Sequence, residues 1–117
     1  MTRTFIQLPI FTKRWNELGF DDDDLMELQQ MLLKNPEAGA LMQGTGGIRK
    51  LRVAFKNRGK SGSTRACYVD FAVYERIYLL TVFAKSDQAN LSDREKATLK
   101  MLVKKLKDEA LAGRKDK

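Results

Sequence analysis

The 117-residue chain contains no histidine and a single cysteine, Cys67. Without histidine, the commonest metal ligand and the commonest general base are both missing. That excludes His-ligated zinc hydrolysis and a Ser-His-Asp triad. One cysteine excludes an internal disulfide and any multi-cysteine zinc site. No metal and no other cofactor is expected. Long apolar runs are missing too: no segment nears the roughly 20 residues that a membrane-spanning helix needs. The opening "MTRTFIQLPIF" lacks the apolar stretch of a signal peptide, so the expectation is a cytoplasmic protein with no membrane partner. The last absence is local. From Gly44 to Arg65 there is no Asp or Glu, against seven Lys and Arg and five Gly.

What is present describes one globular domain. Hydrophobic content of 43% and charged content of 32% are those of an ordinary folded protein, and the length suffices for one core. The domain is expected over 1–112, with 113–117 as a charged tail. The net charge of +7 suggests a polyanionic partner: nucleic acid, an anionic membrane surface or an acidic protein.

"TFIQL" predicts a short strand, and Phe11, Trp15 and Leu18 a short helix stopping near Gly19. In "DDDDLMELQQMLLKNP", Asp21 is a cap, the next aspartates suit the positive end of the helix dipole, and Leu25, Leu28 and Leu32 form a stripe. The acidic run reads as a first helical turn rather than a metal site. Three strands follow, at 48–55, 64–71 and 77–84, with connections short enough for antiparallel hairpins. In the final helix Ser92 and Glu95 form a capping box, and Leu99, Leu102, Val103, Leu106 and Ala110 share a face. The expected fold is α+β, a small antiparallel sheet with helices packed on it, in the order β-α-α-β-β-β-α.

"RGKS" within the basic segment suggests a phosphate-binding loop, but the context excludes it. A Walker A loop needs glycine six residues before its lysine and a helix after it. Counting back from Lys60 gives Ala54, and the strand-like "TRACYVDF" follows. Alternation offers a better account: with Leu51, Val53 and Phe55 pointing one way, Lys50 and Arg52 point the other. Two cations on one face repel, which costs stability unless an anion or solvent covers them. Lys56, Arg58 and Lys60 lie in the hairpin, and antiparallel pairing returns Arg65 to the same region. Arg65 nevertheless alternates with Cys67, Val69 and Phe71, an otherwise apolar face, so its direction stays open here. A plain solvated basic surface is the alternative, although such surfaces usually mix signs.

The three motifs in this region, G-x-G-G-φ-R-K-φ-R, G-K-x-G-x-x-R-φ-φ-Y and Y-L-L-T-φ-φ-x-K (φ apolar), together resemble those of the RelE/HigB toxins, in particular the HigB branch, of prokaryotic type II toxin–antitoxin systems. The resemblance spans Gly44 to about Glu95, and the element order extends it over the chain. It implies a ribosome-dependent mRNA endonuclease (an mRNA interferase) acting on the 70S ribosome. It also implies silencing by a cognate antitoxin, of helix-turn-helix, HigA-like type, through which the pair would reach operator DNA. Two basic positions of the RelE pattern fall on Lys50 and Arg52, and the arginine opening the next strand falls on Arg65. Two others do not carry over: Ser86, beside Lys85, stands in place of an arginine, and a tyrosine position falls near Ser92.

Metal-independent RNA cleavage needs the 2′-hydroxyl deprotonated, the phosphate charge stabilised and the departing 5′-oxygen protonated. Arg52 and Arg65 suit the phosphate, because guanidinium stays charged and grips two oxygens. A lysine serves as base when neighbouring cations crowd it, and Lys50, between Arg49 and Arg52, is that candidate. Lys60 or Lys85 is the candidate acid or phosphate contact, and Arg49, Lys56 and Arg58 are candidate RNA contacts. Tyr68 either stacks on a displaced base or belongs to the core. The lysines of the final helix, Lys96, Lys100, Lys104, Lys105 and Lys107, form a solvated face or contact rRNA phosphates. Competing readings are a ParE-like toxin acting on DNA gyrase, which would not need Lys50, Arg52 and Arg65, and a non-catalytic RNA- or ribosome-binding module.

Overall fold

The computed structural model describes residues 2–53, 64–84 and 92–115. The expected hairpin cations Lys56, Arg58 and Lys60, together with Lys85, lie outside these residues.

The chain enters through strand β1 (Thr4–Gln7), and Pro9 then starts helix α1 (Pro9–Glu17). Proline fits this first position because its missing N–H would have no partner there. Helix α2 (Asp22–Lys34) begins with a reciprocal cap. The Asp24 amide donates to Asp21 Oδ1 at 2.9 Å and the Asp21 amide to Asp24 Oδ2 at 3.0 Å. The acidic run is thus a helix start, as expected. Asn35 and Pro36 end α2.

A two-residue strand β2 (Ala40–Leu41) precedes β3 (Arg49–Val53), β4 (Thr64–Phe71), a 3₁₀ turn (Ala72–Tyr74), β5 (Arg76–Ala84) and helix α3 (Asp93–Lys115). β2 was not expected; two exposed residues carry no alternation from which to read a strand. "GTGG" joins β2 to β3: Met42 N donates to Ile48 O at 2.9 Å, and buried Thr45 Oγ1 donates to Met42 O at 2.7 Å. Gly46 and Gly47 hold φ of +82° and +122° there, a region that L side chains rarely enter. These glycines therefore serve a tight connection.

The strand order is β1-β5-β4-β3-β2. All neighbours are antiparallel except β1, which pairs parallel with β5, so the sheet is mixed at one edge. Chain order explains the parallel pair, because α1, α2 and three strands intervene before β5. Both faces are covered. Phe11, Trp15, Leu28 and Leu32 from α1 and α2 pack on Leu51, Val53, Ala66, Tyr68 and Leu79. Val103, Leu106 and Ala110 from α3 pack on Ile48, Cys67, Val69 and Tyr78 of the other face. α3 continues past the expected stop at Gly113. A Cβ at Gly113 would meet only the guanidinium end of Arg76, a flexible group that can shift, and α3 runs on through this glycine.

Candidate functional site

The site is built by strand register. Arg52 lies directly opposite Arg65 across β3 and β4, and Lys50 lies opposite Cys67. Side chains alternate along a strand, so these four residues share the face on which α3 packs. That answers the question left open for Arg65. Because the sheet is buried on both faces, an apolar partner pattern does not separate Arg65 from Lys50 and Arg52. Arg52 and Arg65 lie next to the Val53–Thr64 end of the β3–β4 ladder, with Lys50 one pair further along the same face.

Arg52 is exposed, while Lys50 and Arg65 are half-buried. Arg65 Nη1 donates to the Thr64 carbonyl at 3.2 Å. Directly opposed residues carry their Cβ atoms about 4.5–5.5 Å apart, where like charges destabilise a sheet. An anion bridging two guanidinium groups would remove that cost.

Two expected RNA contacts are placed elsewhere. Arg49 sits on the opposite face and donates from Nη1 to the Gly39 carbonyl at 2.9 Å, clamping the segment before β2. It therefore does not crowd Lys50, whose face is shared by Arg52 and Arg65. Tyr68 is fully buried. Its hydroxyl donates to Pro36 O at 2.6 Å and accepts from Gly39 N at 3.0 Å. A ring with no exposed face cannot stack on RNA, so that role is withdrawn. Gly39 is needed beside it, since a Cβ there would lie 3.0 Å from the Tyr68 ring and 3.1 Å from the Lys50 backbone.

Lys50 also lines a trough of about 730 Å³ between the sheet and the first turns of α3. Arg14 from α1 and Arg94 and Lys96 from α3 line it as well. Sequence reasoning left Arg14 and Arg94 unassigned and treated Lys96 as one of a helix face. No local pattern signals their convergence with Lys50, because three separate elements bring them together.

A family model for the RelE toxin of the RelE/RelB toxin–antitoxin system matches residues 8–113. The chain belongs to the RelE toxin family. Among solved structures, a double arginine-to-alanine mutant of the toxin RelE from E. coli, in its free state, is similar with a TM-score of 0.52 and 15% identity. The match covers 75% of this chain and 88% of that one, a likeness of fold. Membership implies a toxin that cleaves mRNA and has an antitoxin partner. Among the described residues, no helix is long and apolar enough to cross a membrane.

In this RelE-family toxin, Cys67 lies in the floor of the trough, buried against Lys50. Burial pushes its thiol from 9.0 up to about 11, and the positive charge of Lys50 pulls it partly back. In the unfolded chain the thiol loses its proton near pH 9, while in the folded chain it keeps it to about pH 11. Over that interval the unfolded state binds fewer protons, so stability falls as pH rises. The expected loss is about 2–3 kcal/mol, complete above pH 11 and absent below pH 9. Urea titrations at pH 8 and pH 11 measure it, and Cys67→Ala should flatten the slope. An equally steep slope in the variant would reject the assignment.

The start of α3, which forms one wall of the trough, is held by the expected capping box. Ser92 N donates to Glu95 Oε1 at 3.0 Å, and Glu95 N donates to Ser92 Oγ at 3.1 Å. The Ser92 amide first, and then the Ser92 side chain, hold the Glu95 carboxyl below its ordinary value. Ser92→Ala is expected to cost about 0.5–2 kcal/mol. Hydrogen exchange should locate that loss in the first turns of α3, and uniform loss across the fold would contradict it.

Proposed function

We propose that the toxin is a ribosome-dependent endoribonuclease, of the HigB-like branch, that cuts translated mRNA through attack of the RNA 2′-hydroxyl. The observation that carries this reading is the direct opposition of Arg52 and Arg65, with Lys50 on the same face. In RNA each phosphate has a 2′-hydroxyl beside it. Attack of that oxygen on phosphorus forms a 2′,3′-cyclic phosphate and breaks the bond to the 5′-oxygen, which leaves and takes a proton. The extra negative charge of the transition state falls on the non-bridging oxygens, where two fixed guanidinium groups stabilise it most. Lys50 is the group best situated to accept the 2′-hydroxyl proton. Lys60 and Lys85 remain the candidates for the acid, and Lys56 and Arg58 for phosphate contacts.

Fixed cations supply the charge stabilisation themselves, which supports a metal-independent reaction. Action would take place in the cytoplasm on the 70S ribosome, with a helix-turn-helix, HigA-like antitoxin holding the toxin inactive and carrying the pair to operator DNA.

Induced expression followed by mapping of RNA 5′ ends, with and without translation, tests the proposal. New ends within codons of translated messages, lost when translation is blocked, are the expected result. Intact message with double-strand DNA breaks would point instead to a gyrase-directed toxin. Protected message without new ends would point to RNA binding alone.

A further inference from the structure

On the sheet face opposite the cations, Arg49 and Tyr68 are direct partners across the β3–β4 ladder, one pair along from Lys50 and Cys67. Both side chains reach the same stretch of backbone, 36–39, between α2 and β2. Tyr68 Oη accepts from Gly39 N at 3.0 Å, and Arg49 Nη1 donates to Gly39 O at 2.9 Å. Two strands thus hold both backbone polar groups of one glycine. Arg49 Nη1 also approaches Glu37 O at 3.4 Å, and Tyr68 donates to Pro36 O at 2.6 Å. The ion pair of Arg49 with Glu37 adds little, being 4.0 Å long with a Glu37 side chain that is 78% exposed. The grip of Arg49 is on the backbone.

What is gripped lies against Lys50. A Cβ on Gly39 would fall 3.1 Å from both the carbonyl carbon and the carbonyl oxygen of Lys50. Gly39 then leads into β2, whose two residues pair with Lys50 and Arg49. Beyond Lys50, β3 pairs with β4 on one side and, among the described residues, has no β2 partner on the other. Lys50 is therefore the last residue of β3 held from both sides. The two exposed residues of β2 have no buried face of their own to fix that register. The bonds to Gly39 fix it instead.

We infer that Arg49 is a positioning residue for RNA cleavage. From the face away from the cations, its bond to the Gly39 carbonyl fixes the backbone of Lys50, and with it the place of the Lys50 amine beside the opposed arginines. This inference rests on the reading of Lys50 as the group that takes the 2′-hydroxyl proton. Proton transfer needs donor and acceptor within about 2.6–3.2 Å. A displacement of about 1 Å by a change away from the chemistry can cost on the order of 10²-fold in rate. A lysine stem is flexible, so the strand that carries it has to supply the rigidity. Tyr68 shares the clamp, but its ring is core, and its removal would test folding first. Half-buried Arg49 is the member that can be changed with the fold intact.

The test is single-turnover cleavage on programmed ribosomes over a range of ribosome concentration and pH, with circular dichroism to establish that each variant is folded. Arg49→Met keeps an unbranched stem but donates nothing. It should lower the maximal rate about tenfold or more and leave the half-saturating ribosome concentration unchanged. The pH–rate profile should lose height and keep its shape. Arg49→Lys should restore part of the rate, since an ammonium still donates to a carbonyl, and Glu37→Gln should cleave as the parent does. In a Lys50→Met background, Arg49→Met should add no further loss to the residual rate, because nothing is left to position. Without RNA, hydrogen exchange in Arg49→Met should speed up at the amides of Gly39 and Met42, which bond Tyr68 Oη and Ile48 O. An unchanged maximal rate in Arg49→Met would overturn the inference, as would a full additional loss in the Lys50→Met background. A raised half-saturating concentration at unchanged maximal rate would also overturn it, and make Arg49 a contact to RNA. Full activity of Lys50→Met by itself would remove the reading of Lys50 as the base and the inference with it, so that one variant tells the two failures apart.

Discussion

Replacing Arg65 by alanine is expected to slow cleavage of translated mRNA by about 10²–10³-fold, the usual loss when one fixed donor to a developing anion is removed. Arg65 faces Arg52 across the β3–β4 ladder, so relief of like-charge repulsion offsets part of any stability lost with the side chain. A fall in rate in a variant that remains folded separates a catalytic charge from a structural one. Arg65→Lys should recover only part of the rate, because an ammonium cannot reproduce the planar two-point grip. Single-turnover cleavage on programmed ribosomes, with urea titration alongside, measures both quantities. Full activity in Arg65→Ala would remove the ground for placing the scissile phosphate between the two arginines.

Tyr68 carries the largest expected effect on stability. Its ring is fully buried among the residues that α1 and α2 cover, and its hydroxyl joins Pro36 to Gly39. Tyr68→Ala is expected to cost about 3–5 kcal/mol, as for other large aromatic truncations in a core. Tyr68→Phe keeps the ring but strands a buried amide and a carbonyl, at about 1–3 kcal/mol. Equilibrium denaturation gives both values. Under this assignment Tyr68→Phe binds RNA as the parent does under conditions where both are folded. Weaker RNA binding by the folded variant would give the Tyr68 hydroxyl, not its ring, a contact with RNA.

Helix boundaries were legible wherever local chemistry sets them. Asp21 and Asp24, and Ser92 with Glu95, satisfy amides that the helix itself leaves unpaired, and such signals need no distant partner. Gly113 misled because glycine has two uses: ending a helix, or letting another group come close. The residue type alone does not decide between them, and α3 runs on to Lys115. The two-residue strand β2 was beyond reach, since its pairing with β3 owes nothing to its own pattern.

The sequence by itself determined that histidine chemistry is absent and that one segment holds seven cations and no acidic residue. It also carried the motifs by which the family was recognised. Tertiary structure decided which of those cations lie on one face. A strand sends neighbouring side chains to opposite faces, and register then selects the partners across the ladder. Arg49 and Lys50, adjacent in the chain, were thereby separated, while Arg52 and Arg65 were brought opposite one another. The apolar trough and its ring of cations likewise exist only once α1, β3 and α3 have converged, because no single segment holds more than part of that lining.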